Sequence, residues 1–224
     1  MPQLIDLTLT LGSDRVTAVP GLIGVTMEPL QTHESHTRSN TKLTLATHLG
    51  THVDAPFHFH ADGTTVENMP LEKYMGPALL LDLREHFRSK TPITVSDLQE
   101  AGAAPQKLKD QIAVLFTGWA QQESGNVRFY SDGPYLSTEG ADYLAQNQVN
   151  AVAVDFPIDK HPPTPQSTLK DFPVHRLLLG QNIPLIENLI NLDKLVGRRF
   201  ELWALPLKLK GGAGAATRAV ARIL

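Results

Sequence analysis

Histidines are unevenly distributed along this chain. Four of the nine fall within thirteen residues, in the segment HLGTHVDAPFHFH that runs from His48 to His60. Imidazole nitrogens bind transition-metal ions, and they also transfer protons near neutral pH. The segment is therefore a candidate for a metal site, an acid–base site or both.

The first two histidines of the segment, His48 and His52, are four residues apart, a spacing that would place them on one face of a helix. A helix is disfavoured because Gly50 and Pro56 interrupt it and because the neighbouring threonines and valine favour extended backbone. A helical zinc-protease motif also needs a glutamate after the first histidine, where this chain has Leu49.

In an extended segment, alternate residues share a face, so His48, His52 and Asp54 are expected to project to the same side. Gly50 carries no side chain and leaves the space between the two imidazoles open. Two imidazoles and a carboxylate form a ligand set suited to Zn²⁺ or Mn²⁺. The alternative is a polar strand face with surface histidines, but three ligand residues at this spacing favour a metal site.

Two distant residues are further candidates for the same site. His175 lies in the first turn of a helix predicted to begin at Pro173. Glu187 follows an apolar strand, where a carboxylate is costly to bury unless it is paired or bound to a metal. Each residue taken alone is better explained as a surface residue. The chain has no cysteine, so any metal must be held by imidazole and carboxylate groups.

Aromatic residues near these motifs are candidates for an apolar substrate pocket. They are Phe57, Phe59 and Trp119, with core packing as the alternative for at least one phenylalanine. His60 is expected in a loop near the pocket. The remaining scattered histidines are expected at the surface, and these are His33, His36, His86 and His161.

Strands alternate with helices over much of the chain, which predicts a single α/β domain over residues 1–224 built on a mixed sheet. Residues 12–29, which contain several prolines and glycines, are expected to form a long irregular connection. The predicted strands are residues 4–11, 42–48, 78–83, 111–117, 149–155, 183–186 and 200–205. The predicted helices begin near Ser96 with Gln99 completing a capping box, after Ser137, and at Pro173 with an end at Gly180.

Charge and hydropathy exclude several classes of protein. Lysine and arginine number 20 and aspartate and glutamate 23, a net charge of −3, which argues against a nucleic-acid-binding protein. The sequence has no apolar run long enough to span a membrane, and its first residues lack the basic and apolar regions of a secretory signal. These features predict a cytoplasmic protein that acts on a small molecule, without nucleic-acid or membrane partners.

The segment HLGTHVDAPFHF resembles the HxGTHxDxPxH signature of the cyclase-type metal hydrolases, a family that includes bacterial kynurenine formamidase and isatin hydrolase. The resemblance covers nearly the whole chain. It includes IDLTLTL near the start, FTGW at 116–119, VHRLLLG at 174–180, IENL at 186–189 and ALPLK at 204–208.

The resemblance implies a role for each candidate residue. His48, His52 and Asp54 would be metal ligands, and His58 would be the proton donor and acceptor. His175 and Glu187 would be ligands of a second metal, with Asp54 and Glu187 able to bridge. The implied fold is a swivelling β/β/α domain, assembled as a homodimer or homotetramer.

The implied activity is metal-dependent hydrolysis of a small amide or cyclic amide, with one or two Zn or Mn ions. Two departures argue against an arylformamidase in particular. The loop before Pro20 lacks the tryptophan that formamidases of the family tend to carry, and Ala213 stands where an aspartate is common. Two alternatives are a non-catalytic metal-binding protein and a lyase or dehydratase on the same metal platform.

Overall fold

The computed structural model of the protein describes residues 2–160, 164 and 166–224. His161, which is expected at the surface, lies outside these residues. The strands are β1 (Leu4–Asp6), β2 (Thr26–Gln31), β3 (Asn40–Thr44), β4 (His52–Asp54), β5 (Met75–Asp82), β6 (Pro92–Ile93), β7 (Ile112–Phe116), β8 (Tyr135–Leu136), β9 (Ala151–Val154), β10 (Leu185–Glu187), β11 (Phe200–Trp203), β12 (Gly214–Ala216) and β13 (Val220–Ile223).

The helices are α1 (His33–His36), α2 (Val95–Glu100), α3 (Pro105–Leu108), α4 (Trp119–Glu123), α5 (Arg128–Asp132), α6 (Thr138–Gln146) and α7 (Pro173–Gly180). Short 3-10 turns, one of them Pro56–His58, connect several of the other elements. Among the described residues, no helix is both long enough and apolar enough to cross a membrane.

A nine-stranded sheet organises the fold, with the order β1-β13-β11-β5-β7-β9-β10-β4-β12. Its centre is parallel, from β5 through β7 and β9 to β10, and the strands on both sides are antiparallel. The predicted α/β class with a mixed sheet is confirmed.

The central strands are apolar on both faces because both faces are covered. In β7, Ala113 and Leu115 pack with α2, α6 and α7, whereas Ile112, Val114 and Phe116 face a second core. Strands from both ends of the sheet also contribute to this second core, so the sheet curls around it. Strands β9 and β10 therefore lie between two packed layers, whereas β4 packs on the second core through Val53.

The capping residues predicted from the sequence are correct for two helices and wrong for a third. The Ser137 hydroxyl accepts a hydrogen bond from the Gly140 amide and begins α6, as predicted, and the predicted bounds of α7 are confirmed. The capping box at Ser96 is wrong. Thr94 begins α2, and its side chain and that of Asp97 each accept a hydrogen bond from the other residue's backbone amide.

Strands β2 and β3 form a separate antiparallel hairpin whose side chains are almost all exposed. The prediction of an irregular chain over residues 12–29 is therefore wrong from Thr26 onward. The hairpin has no buried face, so its sequence lacks the alternation that marks a half-buried strand.

Candidate metal centre

Strand β4 lies between β10 and β12 and is antiparallel to both. Val53 points into the second core, so His52 and Asp54 point to the opposite face. The register pairs His52 with Glu187 on β10, which brings a second carboxylate beside the imidazole. Alternation along this short strand therefore positions two of the candidate ligands, as the sequence predicts.

His48 reaches the same place by a different route. The strand begins only at His52, so the extended segment expected from His48 onward is wrong, and His48 lies in the preceding turn. Gly50 has a φ of 65°, in the left-handed region that favours glycine, and it redirects the chain. The His48 side chain still meets Asp54, with its Nδ1 atom 2.7 Å from Oδ1.

Gly214 on β12 makes room for the His48 ring. It pairs with Asp54 across the sheet. A Cβ atom at this position would lie 2.7 Å from Cε1 of His48 and 2.4 Å from the carbonyl oxygen of Val53. Only glycine fits, so one residue of the glycine-rich turn at 211–214 has a role that the sequence did not reveal.

The structure brings together all five residues that the sequence marks as candidate ligands. His52 Nε2 lies 3.2 Å from Asp54 Oδ1 and 3.6 Å from Glu187 Oε2. His175, in the first turn of α7, places its Nε2 3.4 Å from Asp54 Oδ2 and 3.5 Å from Glu187 Oε1. Three imidazoles and two carboxylates thus surround one small volume.

Several atoms of this cluster lack the partner that a buried polar atom normally has. His48 Nε2, Asp54 Oδ2 and Glu187 Oε1 are buried without a hydrogen-bond partner among the described residues. Two groups of side chains have ligand atoms within 4.8 Å of one another, and Asp54 belongs to both: His48, Asp54 and His58, and His52, Asp54 and Glu187. Unpaired carboxylate and imidazole atoms in this arrangement fit a divalent metal ion.

Backbone and amide groups orient His52. Its Nδ1 donates to the carbonyl oxygen of Gly50 at 2.9 Å, which leaves Nε2 directed at the carboxylates. The buried Asn188 side chain donates to the same carbonyl at 2.8 Å. Asn188 follows Glu187 directly and has a φ of 60°, a conformation that asparagine tolerates better than most residues.

Asp159 orients His175 in the same way. Its carboxylate accepts hydrogen bonds from the backbone amides of Val174 and His175, at 2.9 and 3.1 Å, and lies 2.5 Å from His175 Nδ1. It thus holds both the first turn of α7 and the imidazole ring. Sequence reasoning missed Asp159, because its only signal is an acidic residue a few positions after the buried strand β9.

Neighbouring charges shift the pKa values of His52 and Asp54 in opposite directions. Burial alone lowers the pKa of His52, but the carboxylates of Asp54 and Glu187 outweigh it and raise the value to about 9. Burial raises the pKa of Asp54, but the neighbouring histidines hold it well below its usual range. The Asp54 carboxylate is therefore anionic at neutral pH, as a metal ligand must be.

His58 lies on the 3-10 turn that Pro56 begins. Its ring stacks on that of His48, with 3.8 Å between the centroids, and it lies 6.1 Å from that of His175. Burial and the positive charges of the surrounding histidines lower the pKa of His58 to about 3. His58 is therefore neutral at pH 7, and its position allows it either to bind an ion with His48 and Asp54 or to accept a proton beside them.

A cavity of about 470 Å³ opens above this cluster. The rest of its lining is mostly apolar and comes from the early loop, the 3-10 turn, α5 and the β9–α7 connection. These lining residues are Val19, Pro20, Gly21, Leu22, Phe59, Tyr130, Pro157, Ile158, Thr164 and Phe172.

Only one of the three aromatic residues expected in a substrate pocket lines this cavity. Phe59 does so, packed against Phe172 and His175. The prediction that Trp119 and Phe57 line the pocket is wrong. Trp119 is buried in the core, where its indole N–H donates to the Phe129 carbonyl, and Phe57 points outward with 37% of its surface exposed. His60 instead docks on α7, where Nε2 donates to the Arg176 carbonyl at 2.9 Å.

Comparison with known proteins gives a consistent result. Residues 5–159 match the sequence profile of the Cyclase family. The chain is 30% identical over 223 residues to a kynurenine formamidase of Bacillus mycoides (strain KBAB4), covering 98% of this chain and 97% of that one. It is 31% identical over 225 residues to the kynurenine formamidase of Bacillus cytotoxicus, covering 99% and 98%.

Solved structures with the same fold include an isatin hydrolase bound to the product analogue thioisatinate, with a TM-score of 0.83, 23% identity and coverage of 99% of this chain and 92% of that one. Isatin hydrolase A from Ralstonia solanacearum has a TM-score of 0.83, 24% identity and coverage of 100% and 92%. At these identities the likeness shows the fold. From the profile match and the full-length relatives, this chain belongs to the Cyclase family.

Proposed function

We propose that this protein is a metal-dependent hydrolase that cleaves a small amide or cyclic amide. The observation that carries the proposal is the convergence of three histidines and two carboxylates, with unpaired buried atoms, at the base of an apolar cavity. Relatives named kynurenine formamidase and structural neighbours named isatin hydrolase support the choice of bond.

Asp54 and Glu187 would hold the ion together with His48, His52 and His175. When bound, a divalent ion polarises a substrate carbonyl and lowers the pKa of water toward about 7. Two ligand groups that share Asp54 support a site for one or two ions. Zn²⁺ and Mn²⁺ are both proposed, because nitrogen and oxygen ligands accept either.

His58 would move the proton. Its neutral imidazole accepts a proton from the attacking water and returns it to the leaving nitrogen as the carbon–nitrogen bond breaks. Stacking on His48 and contact with Phe59 hold the ring at the edge of the cavity, close to the ligand cluster. The short turn begun by Pro56 supports this position, because it ends the strand and redirects the chain toward the cluster.

The walls of the cavity indicate the kind of substrate. Among the described lining residues there is no lysine or arginine, and the charged groups all belong to the ligand cluster or to Asp159. Away from the cluster, the substrate would meet Leu22, Phe59 and Phe172. We therefore propose an uncharged, partly aromatic amide or lactam that fits a cavity of about 470 Å³.

The function is tested with a panel of N-formylkynurenine, isatin and simple lactams, assayed with Zn²⁺, with Mn²⁺ and after chelation. The expected result is turnover of at least one compound that chelation abolishes and metal restores, with one labelled oxygen from water in the product. Metal-dependent turnover without oxygen incorporation would support a lyase instead. Metal binding without any turnover would support a non-catalytic metal-binding protein.

The homo-oligomer and the cytoplasmic location expected from the sequence stay predictions. We propose that the β2–β3 hairpin contributes to self-association. Met27 and Leu43 pair across the hairpin on one face, and 52% and 46% of their surfaces are exposed. Burying such a pair in an interface would remove apolar surface from water.

A further inference from the structure

Tyr130, on α5, lines the cavity beside the ligand cluster, although nothing in the sequence marks it. It packs edge-to-face against Phe129, with 5.0 Å between the ring centroids. Glu187 and Asp54 are close enough to influence its hydroxyl electrostatically. The phenol therefore faces the space in which a substrate would lie next to the carboxylates.

The hydrogen bonding around Tyr130 leaves its proton available. Asn188 is the side-chain hydrogen-bond partner of the Tyr130 hydroxyl, and its amide group can act as the donor. An amide NH₂ group has two hydrogens. Asn188 donates one of them to the Gly50 carbonyl oxygen at 2.8 Å, and it can donate the other to the phenol oxygen of Tyr130. The O–H of Tyr130 is then free to donate into the cavity.

The hydroxyl is also protonated at neutral pH, since an ordinary tyrosine pKa is about 10. Burial, together with the negative charges of Glu187 and Asp54, raises the pKa of Tyr130 above its usual value, despite the opposing effect of Asn188. Among the described lining residues, the other hydroxyl belongs to Thr164, which is exposed and lies 3.3 Å from the Ser167 hydroxyl. Tyr130 is thus the neutral, preorganised donor beside the cluster.

We propose that Tyr130 is a catalytic residue that donates a hydrogen bond from its hydroxyl to the substrate oxygen that becomes negatively charged when water adds to the amide carbon. This inference rests on the proposed hydrolase function. In the step, the carbonyl π bond opens onto oxygen as the new carbon–oxygen bond forms, and Tyr130 keeps its proton throughout. A donor aimed at developing charge stabilises the transition state more than the ground state.

The test compares the metal-loaded wild type with Tyr130→Phe, which removes only the hydroxyl. We expect kcat to fall roughly 100-fold with little change in KM. Two probes that are not turned over provide a second readout. Phenylboronic acid, which adopts a tetrahedral anionic form, should bind at least about 10-fold more weakly to the variant, whereas planar benzamide should change less than about threefold.

Tyr143→Phe is the matched control. Its hydroxyl donates to the Ala103 carbonyl at 2.6 Å, away from the cavity, so this variant should keep full turnover and probe binding. The proposal would be overturned if Tyr130→Phe bound both probes equally more weakly, if its kcat were unchanged, or if it lost the metal. If the wild type hydrolyses none of the amides, the proposed function fails, and the two probes still decide the role of Tyr130.

Discussion

At the scale of single residues, the site separates side chains that would hold an ion from side chains that would act on substrate. His48, His52 and His175 direct nitrogens at the two carboxylates at distances of 2.7 to 3.6 Å. His58 contacts the cluster through a ring stack on His48. Replacing His58 therefore leaves the three other histidines and both carboxylates in place.

His58→Ala tests this division directly. We expect the variant to retain most of its metal and to lose roughly 100-fold or more in turnover, since positioned proton transfer is worth about that much. Metal content by elemental analysis and kcat on the best substrate of the panel check the two parts. A variant that loses its metal would make His58 a ligand, in the group that it forms with His48 and Asp54.

How much of the site the sequence predicts also depends on the residue. His52 and Asp54 follow from strand alternation, because β4 is a strand that is paired on both sides near one end of the sheet. Alternation also predicts His48 on that strand, but His48 lies in a turn that depends on the left-handed conformation of Gly50. Tyr130 carries no local signal and Asp159 only a weak one, because their roles depend on which distant elements the fold brings beside β4.

At the scale of elements, helix α7 connects the fold to the site. It begins at Pro173 and packs on the sheet through Val174, Leu178 and Leu179, which are buried. This packing explains why its bounds could be predicted from an apolar pattern with proline at the start and glycine at the end. The partner of its first turn, Asp159, lies outside the helix and could not be predicted that way.

Asp159→Ala should affect both the helix and the metal. The variant loses the acceptor for two backbone amides at the start of α7, which is worth about 1 kcal/mol of stability, and it frees the His175 ring. We expect a lower melting temperature together with a severalfold lower metal affinity. Thermal unfolding and a metal titration measure the two effects.

Ser137→Ala provides the control for that experiment. It removes a comparable cap from α6, where the hydroxyl accepts from the Gly140 amide at 3.0 Å, and neither residue lines the cavity or contributes a candidate ligand. Its stability should fall by a similar amount while its metal affinity stays at the wild-type value. If the two variants bind metal equally well, Asp159 has only a structural role.

At the scale of the whole molecule, one part of the sheet builds the cores and another part carries the candidate ligands. Its parallel centre packs helices on one face and the second core on the other, and its β10–β4–β12 end carries the ligand cluster. The sequence predicts the centre well, because strands covered on both faces are continuous apolar runs. The short strands β12 and β13, which the sequence does not predict, are set by pairing across the sheet.

The β2–β3 hairpin is exposed and contributes no residue to either core. Leu43→Glu places a charge on its apolar face, so we expect it to shift the protein from a dimer or tetramer toward the monomer in light scattering. Lys42→Glu, on the opposite face and paired with Glu28, serves as the control and should leave the mass unchanged. A wild type that is monomeric at all concentrations would contradict the proposed association.

The central claim is that β4, α7 and β10 build one metal centre. Elemental analysis of protein purified without chelator tests it most directly, with the wild type and His52→Ala measured side by side. We expect one or two equivalents of Zn or Mn per wild-type chain and a severalfold lower content in the variant, because His52 faces both Asp54 and Glu187. Equal metal content in the two proteins, or a wild type that stays metal-free in the presence of both ions, would contradict it.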